Sequence, residues 1–117
     1  MTQRSVLQVR TRLMRDDEIA MGPGKVDLLL AIEETGSISA AAKHMGMSYR
    51  RAWLLVDTMN RCFQSPLVTS SAGGSHGGGA VVTDKGKEVL QHYQQLQVAL
   101  EAVADGYRDA LDKLVRQ

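Results

Sequence analysis

Ser37-Ile38-Ser39-Ala40-Ala41-Ala42-Lys43-His44-Met45-Gly46-Met47-Ser48 is the stretch that decides the fold. Ser39 stands where it can cap a short helix, because a serine oxygen at a helix start accepts a hydrogen bond from an otherwise unpaired amide. The alanines after it carry almost no side chain, so a second helix can cross them closely. Gly46 permits the tight turn that ends this helix, and Ser48 caps the next. From Tyr49 to Phe63, the residues Ala52, Val56, Met59 and Phe63 fall at helical spacing. Two short helices joined by a glycine-containing turn of about three or four residues meet the requirements of a helix-turn-helix, here over 37–63.

Working outward toward the N-terminus, a helix is expected over 24–36, with Val26, Leu29, Leu30 and Ile32 as its buried stripe and Gly36 as the left-handed residue that closes it. Met21-Gly22-Pro23-Gly24 reads as the turn before it, since proline suits the first helical turn. Between Ser5 and Met14 the odd positions Leu7, Val9, Thr11 and Leu13 alternate with Gln8, Arg10 and Arg12. That period of two predicts a half-buried strand over 5–14, interrupted by Asp16, Asp17 and Glu18.

Toward the C-terminus, Leu67 to Ser70 and Ala80 to Thr83 are two short strand-like runs around a glycine-rich stretch. They predict a hairpin over 67–83, placed directly after the helix-turn-helix as a wing. A phosphate-cradling loop needs a lysine followed by serine or threonine at a helix start. These glycines lead instead into a strand, so nucleotide binding is not expected.

From Asp84 a long helix is expected, over 84–115. Val89, Tyr93, Leu96, Leu100, Val103, Tyr107, Ala110 and Leu114 are spaced 4, 3, 4, 3, 4, 3 and 4, a heptad seam. Residues near Val89 and Tyr93 can pack on the first helix. Beyond Leu100 the seam has no evident partner within the chain, although Gly106 weakens the helix there. A second copy is the expected partner, which makes Val89, Tyr93, Leu96, Leu100, Val103, Tyr107 and Leu114 the candidate dimerisation residues.

Composition bounds these readings. A chain of 117 residues is one domain's worth, and 44% apolar residues suffice for a core without disulfide or metal. Cys62 is the single cysteine, read as a small core residue in preference to a redox sensor. His44, His76 and His92 lack ligand spacing, so no metal is expected. No apolar run approaches the ~20 residues of a membrane helix, and Met1 to Met14 lacks the apolar core of a signal peptide. A cytoplasmic protein is the resulting expectation. The net charge of +1 hides an asymmetry: from Ser37 to Lys87 six basic residues face only Asp57 and Asp84, while the flanks are acidic. A basic middle suits a polyanion held on one face, or else a merely solvated surface.

Several of these strings resemble one family. Thr35-Gly36-Ser37-Ile38-Ser39-Ala40-Ala41-Ala42-Lys43, Gly46-Met47-Ser48-Tyr49-Arg50-Arg51-Ala52-Trp53, Met59-Asn60, Leu67-Val68, Gly73-Gly74, Gly77-Gly78-Gly79-Ala80-Val81-Val82-Thr83 and Gly86 are similar to the N-terminal winged helix-turn-helix of the ModE family of molybdate-responsive transcription regulators. The same frame resembles, more loosely, the DNA-binding domain of LysR-type regulators. The resemblance runs from about Lys25 to Leu96. It implies a fold that is mainly α with a small β component: a winged helix-turn-helix with an N-terminal strand and a long C-terminal dimerisation helix. In that family molybdate is bound by C-terminal domains, whereas this chain ends at Gln117, so molybdate binding is not expected of it.

On double-stranded DNA, the first turns of the second helix reach base edges in the major groove, which singles out Tyr49, Arg50 and Arg51 after Ser48. Ser37, Ser39 and Lys43 suit phosphates, as do Lys85 and Lys87 beyond the wing and Ser75 and His76 at its tip. Trp53 lies about 100° around the helix from Ala52; a core position is preferred for it over one facing a sugar-phosphate strand. Leu54, opposite the core stripe, can meet a thymine methyl or pack on a neighbouring element. The function expected is a non-enzymatic transcription regulator, binding an inverted-repeat operator as a homodimer with no cofactor. The competing class is a winged-helix module that binds another protein.

Overall fold

A computed structural model describes residues 5–74 and 77–116. Its elements run β1 (Leu13–Arg15), β2 (Glu18–Met21), α1 (Pro23–Thr35), α2 (Ile38–Met45), α3 (Tyr49–Cys62), β3 (Val68–Gly74), β4 (Gly77–Val82) and α4 (Asp84–Asp112). The strands form two separate antiparallel pairs, β1 with β2 and β3 with β4. In the first, Arg15 pairs with Glu18 across a turn in which Asp16 takes a φ of 54°, a conformation aspartate tolerates better than most residues.

Local chemistry fixes the helix ends. Gly36 and Gly46 close α1 and α2 at φ of 72° and 69°, where a side chain would be strained. Gly36 donates its amide to the Ile32 carbonyl at 2.8 Å. Ser48 caps α3 by accepting the Arg51 amide at 3.1 Å. The cap of α2 is Ser37, which accepts the Ala40 amide at 3.0 Å, and this corrects the expectation for Ser39: α2 begins at Ile38, so Ser39 already lies inside it and is exposed. Thr83 caps α4 through the Gly86 amide at 3.0 Å.

The core is gathered around α1, which buries Val26, Leu28, Leu29, Ala31 and Ile32. Leu28 takes the place the sequence reading gave to Leu30, which is 40% exposed beside α4. Ala41 and Ala42 of α2 and Ala52, Val56 and Met59 of α3 complete the core from one side, Leu67, Val68, Ala80, Val82 and Leu90 from the other. Cys62 is half-buried.

The expected strand over 5–14 is corrected to β1 alone; residues 5–12 belong to no sheet. They run antiparallel along α4 as an extended strap. The Tyr93 hydroxyl donates to the Thr11 carbonyl at 2.6 Å, Gln97 Nε2 to the Val9 carbonyl at 2.5 Å, and the Ser5 amide to Asp112 Oδ1 at 2.8 Å. Helix α4 itself, 29 residues, extends for about 43 Å at 1.5 Å per residue. It accounts for much of the molecule's 58 Å long axis. Among the described residues no helix is long and apolar enough to cross a membrane.

Candidate nucleic-acid interface

Helix α3 turns two faces to two environments. Ala52, Val56 and Met59 lock one face into the core, and the other carries Tyr49, Arg50, Arg51, Trp53 and Leu54, all exposed. Trp53 is 47% exposed, so the core placement preferred from sequence is corrected. Its 100° offset from Ala52 turns it toward the wing and away from α1. There it lines a cleft of 280 Å³ with Ser37, Ser39, Tyr49, Ser70 and Gly79, among others.

That cleft joins the start of α2, the outer face of α3 and the first wing strand. Ser37 is half-buried and its oxygen caps α2, yet its own proton stays free to donate to an anion. Lys43 is exposed near the end of α2, on the same helix-turn-helix. The wing contributes Thr69 and Ser70, which the sequence reading passed over because serines and threonines in a strand give no local sign of what they face.

The charges are distributed less simply than the sequence suggests. Arg61 is tied down: its guanidinium meets both oxygens of Glu18 at 3.1 and 2.9 Å and Asp57 Oδ2 at 3.0 Å. The hydrogen bonds from Arg61 hold the Glu18 carboxyl below the usual carboxylate range and push Arg61 itself still higher. Lys85 lies 3.6 Å from Glu88 on its own helix. Lys87 borders a different groove, lined by Leu30 and Glu33 of α1, and is not brought together with Ser37, Tyr49 and Trp53. Ser75 and His76 lie outside the described residues. Arg50, Arg51 and Lys43 therefore remain as the exposed cations on the helix-turn-helix that no described ion pair ties down.

On α4, Val89 and Tyr93 are half-buried against the chain's own core. Leu100 is also half-buried, while Leu96, Val103, Tyr107 and Leu114 are exposed by 45%, 63%, 68% and 82%. Leu111, 50% exposed, falls on the same stripe. Among the described residues no three His, Cys, Asp or Glu side chains are grouped to hold a metal ion.

Comparison with known proteins places this geometry. Residues 24–87 match the model of the lysR family of bacterial regulatory helix-turn-helix proteins. The chain is 40% identical over 92 residues to the molybdenum-pterin-binding protein MopB of Rhodobacter capsulatus, which takes in 79% of this chain and 34% of that one. It is 37% identical to the molybdenum transport protein ModE of Azotobacter vinelandii (90% of this chain, 39% of the other). To the DNA-binding transcriptional dual regulator ModE of Escherichia coli strain K12 it is 34% identical, over 84% and 39% of the two chains. The chain thus spans little more than a third of the length of these relatives. Among solved structures, the DNA-binding domain in the CbnR_DBD-DNA complex superposes with a TM-score of 0.56 at 20% identity, covering 75% of this chain and 95% of that one. The chain belongs to the lysR family of bacterial regulatory helix-turn-helix proteins, and its relatives in sequence include ModE regulators.

Proposed function

We propose that residues 1–117 form the DNA-binding part of a transcription regulator of the ModE type, working as a homodimer on an inverted-repeat operator. The observation that carries this reading is the outer face of α3, where Tyr49, Arg50 and Arg51 stand exposed directly after the Ser48 cap while the opposite face is locked into the core. A helix held this way can enter the major groove with its first turns, and an arginine there can make two hydrogen bonds to one guanine. Ser37, Ser39 and Lys43 would meet phosphates beside it, with Trp53 against the sugar-phosphate strand.

The dimer is carried by α4. Its exposed stripe of Leu96, Val103, Tyr107, Leu111 and Leu114 is an apolar seam that the described residues leave uncovered. Two copies paired along it present two recognition helices related by a dyad, and an inverted repeat follows from that symmetry. A cytoplasmic location and the absence of enzymatic activity go with this reading. We place the molybdenum chemistry in the relatives' names outside residues 1–117, so molybdate would leave the affinity of this chain for DNA unchanged.

The test is selection of bound sequences from a random DNA pool, followed by binding of the selected duplex across a salt series. A palindromic motif is expected, with Arg50→Ala losing about 1–3 kcal/mol and its base preference at one position per half-site. A chain that enriches no sequence and binds a protein partner through α3 instead is a protein-interaction module.

A further inference from the structure

We propose that Asn60 is a positioning residue of this surface: from the last turn of α3 its carboxamide fixes the root of the wing, so that wing and recognition helix meet the duplex in one set relation. The proposal rests on the DNA-binding reading above and deepens it.

The geometry is specific. Asn60 Oδ1 accepts the Leu67 amide at 2.8 Å and the Val68 amide at 3.2 Å, and Nδ2 donates to the Val68 carbonyl at 3.0 Å. Leu67 and Val68 are 0% and 4% exposed, so water does not readily replace these bonds. The same few residues are gripped from the other end of the hairpin, where the Thr83 amide donates to the Leu67 carbonyl at 2.9 Å and its hydroxyl to the Pro66 carbonyl at 2.7 Å. Strand β4 has a separate anchor, the Ala80 amide on the Gly36 carbonyl at 2.8 Å, with Gly79 so close that a Cβ there would stand 3.1 Å from that oxygen.

Each wing strand is thus tied at a different point, β3 to α3 of the helix-turn-helix and β4 to the turn between α1 and α2 that leads into it. Only the β3 tie uses a side chain of α3. Asparagine alone fits it: two amides need one acceptor and one carbonyl needs a donor on the same planar group. Aspartate would set an oxygen against the Val68 carbonyl, and glutamine is one methylene too long.

The experiment compares the full 117-residue chain with its Asn60→Ala and Asn60→Asp variants on the selected duplex, by melting temperature, hydroxyl-radical footprint and affinity. Both variants are expected to keep the base preference read by Arg50 while losing backbone protection on the wing side, with affinity falling about tenfold, the scale of a single charge-assisted hydrogen bond. Trimming the duplex on that side should cost the parent chain the same factor and Asn60→Ala nothing more. Lowering the pH should restore the wing-side footprint of Asn60→Asp, relative to the parent at the same pH, because a protonated carboxyl regains the donor. Variants that melt earlier but keep the parent's wing-side footprint and trimming penalty would show a purely structural residue and overturn the proposal. Loss of base preference together with the flank overturns it as well. Failure of the parent chain itself to give any footprint is a different result, which removes the DNA-binding reading on which the proposal stands.

Discussion

Arg61 of α3 lies in a two-pronged contact with Glu18 of β2, Nη1 to Oε1 at 3.1 Å and Nη2 to Oε2 at 2.9 Å. The pair joins the first hairpin to the last turn of α3, and Asp57 completes the bridge one turn earlier. A guanidinium held on two carboxylates has no charge left over for a phosphate. Arg61→Ala is therefore expected to leave the salt dependence of DNA binding unchanged, whereas Lys43→Ala should lower its slope by about 0.9, the share of a single neutralised phosphate. Titrations at several salt concentrations read this directly, and an equal drop for both variants would put Arg61 on the DNA.

This pair also marks the limit of what the sequence could disclose. The two capped helices between Ser37 and Cys62 were legible because caps, glycine turns and helical spacing are local, and the structure moves the first cap by only two positions, from Ser39 to Ser37. Arg61 was counted with the basic middle of the chain because its partner Glu18 is 43 residues away. Charge counting cannot see such a bridge. Trp53 fails for a related reason: helical spacing gives its angle, and only the placement of the wing turns that angle toward a cleft.

The strap along α4 shows a different kind of partial legibility. Alternation at Val9 and Thr11 did report an extended, half-buried backbone, but period two says nothing about what that backbone bonds to. Here the carbonyls of Val9 and Thr11 are met by side chains of a helix. Tyr93→Phe keeps the ring and removes the donor to Thr11. A loss of about 0.5–1.5 kcal/mol in unfolding free energy is expected, together with faster exchange of amides in residues 5–12. An unchanged exchange pattern would mean that the strap is held without this bond.

The heptad spacing of α4 leaves only part of its seam exposed. Tyr93 and Leu100 are partly covered by the chain itself, so the outward seam is carried by Leu96, Val103, Tyr107, Leu111 and Leu114. Val103→Asp and Tyr107→Asp should each give a monomer in sedimentation at concentrations where the parent chain sediments as a dimer, with little change in monomer fold because both side chains are exposed. Operator affinity should fall in step with dimer loss. Dimers that persist in both variants would move the interface elsewhere, and the inverted-repeat expectation would lose its basis.

Among the described residues Lys25 is the one charged side chain that is buried, 8% exposed on the first turn of α1. Burial lowers its pKa from 10.5, and the nearby charges of Arg12 and Arg51 push the same way against the opposing influence of Cys62 and Glu18. The unfolded chain therefore holds this proton more tightly than the folded one does. Between the lowered value and 10.5, unfolding takes up a proton, so stability must rise with pH across that window and the penalty is fully present below it. Tyr93 works in the opposite sense, since burial and Asp27 raise its pKa, but its effect starts only near its ordinary value of 10.0. Chemical denaturation at neutral pH and at pH values just below 10 stays clear of the Tyr93 window, and the difference between the parent and Lys25→Met isolates Lys25. The parent chain should gain stability between the two, and Lys25→Met, which keeps the apolar stem and removes the charge, should be the more stable protein at neutral pH and gain less on raising the pH. A Lys25→Met variant less stable than its parent at neutral pH would mean that the ammonium is stabilised where it lies and that its burial carries no penalty.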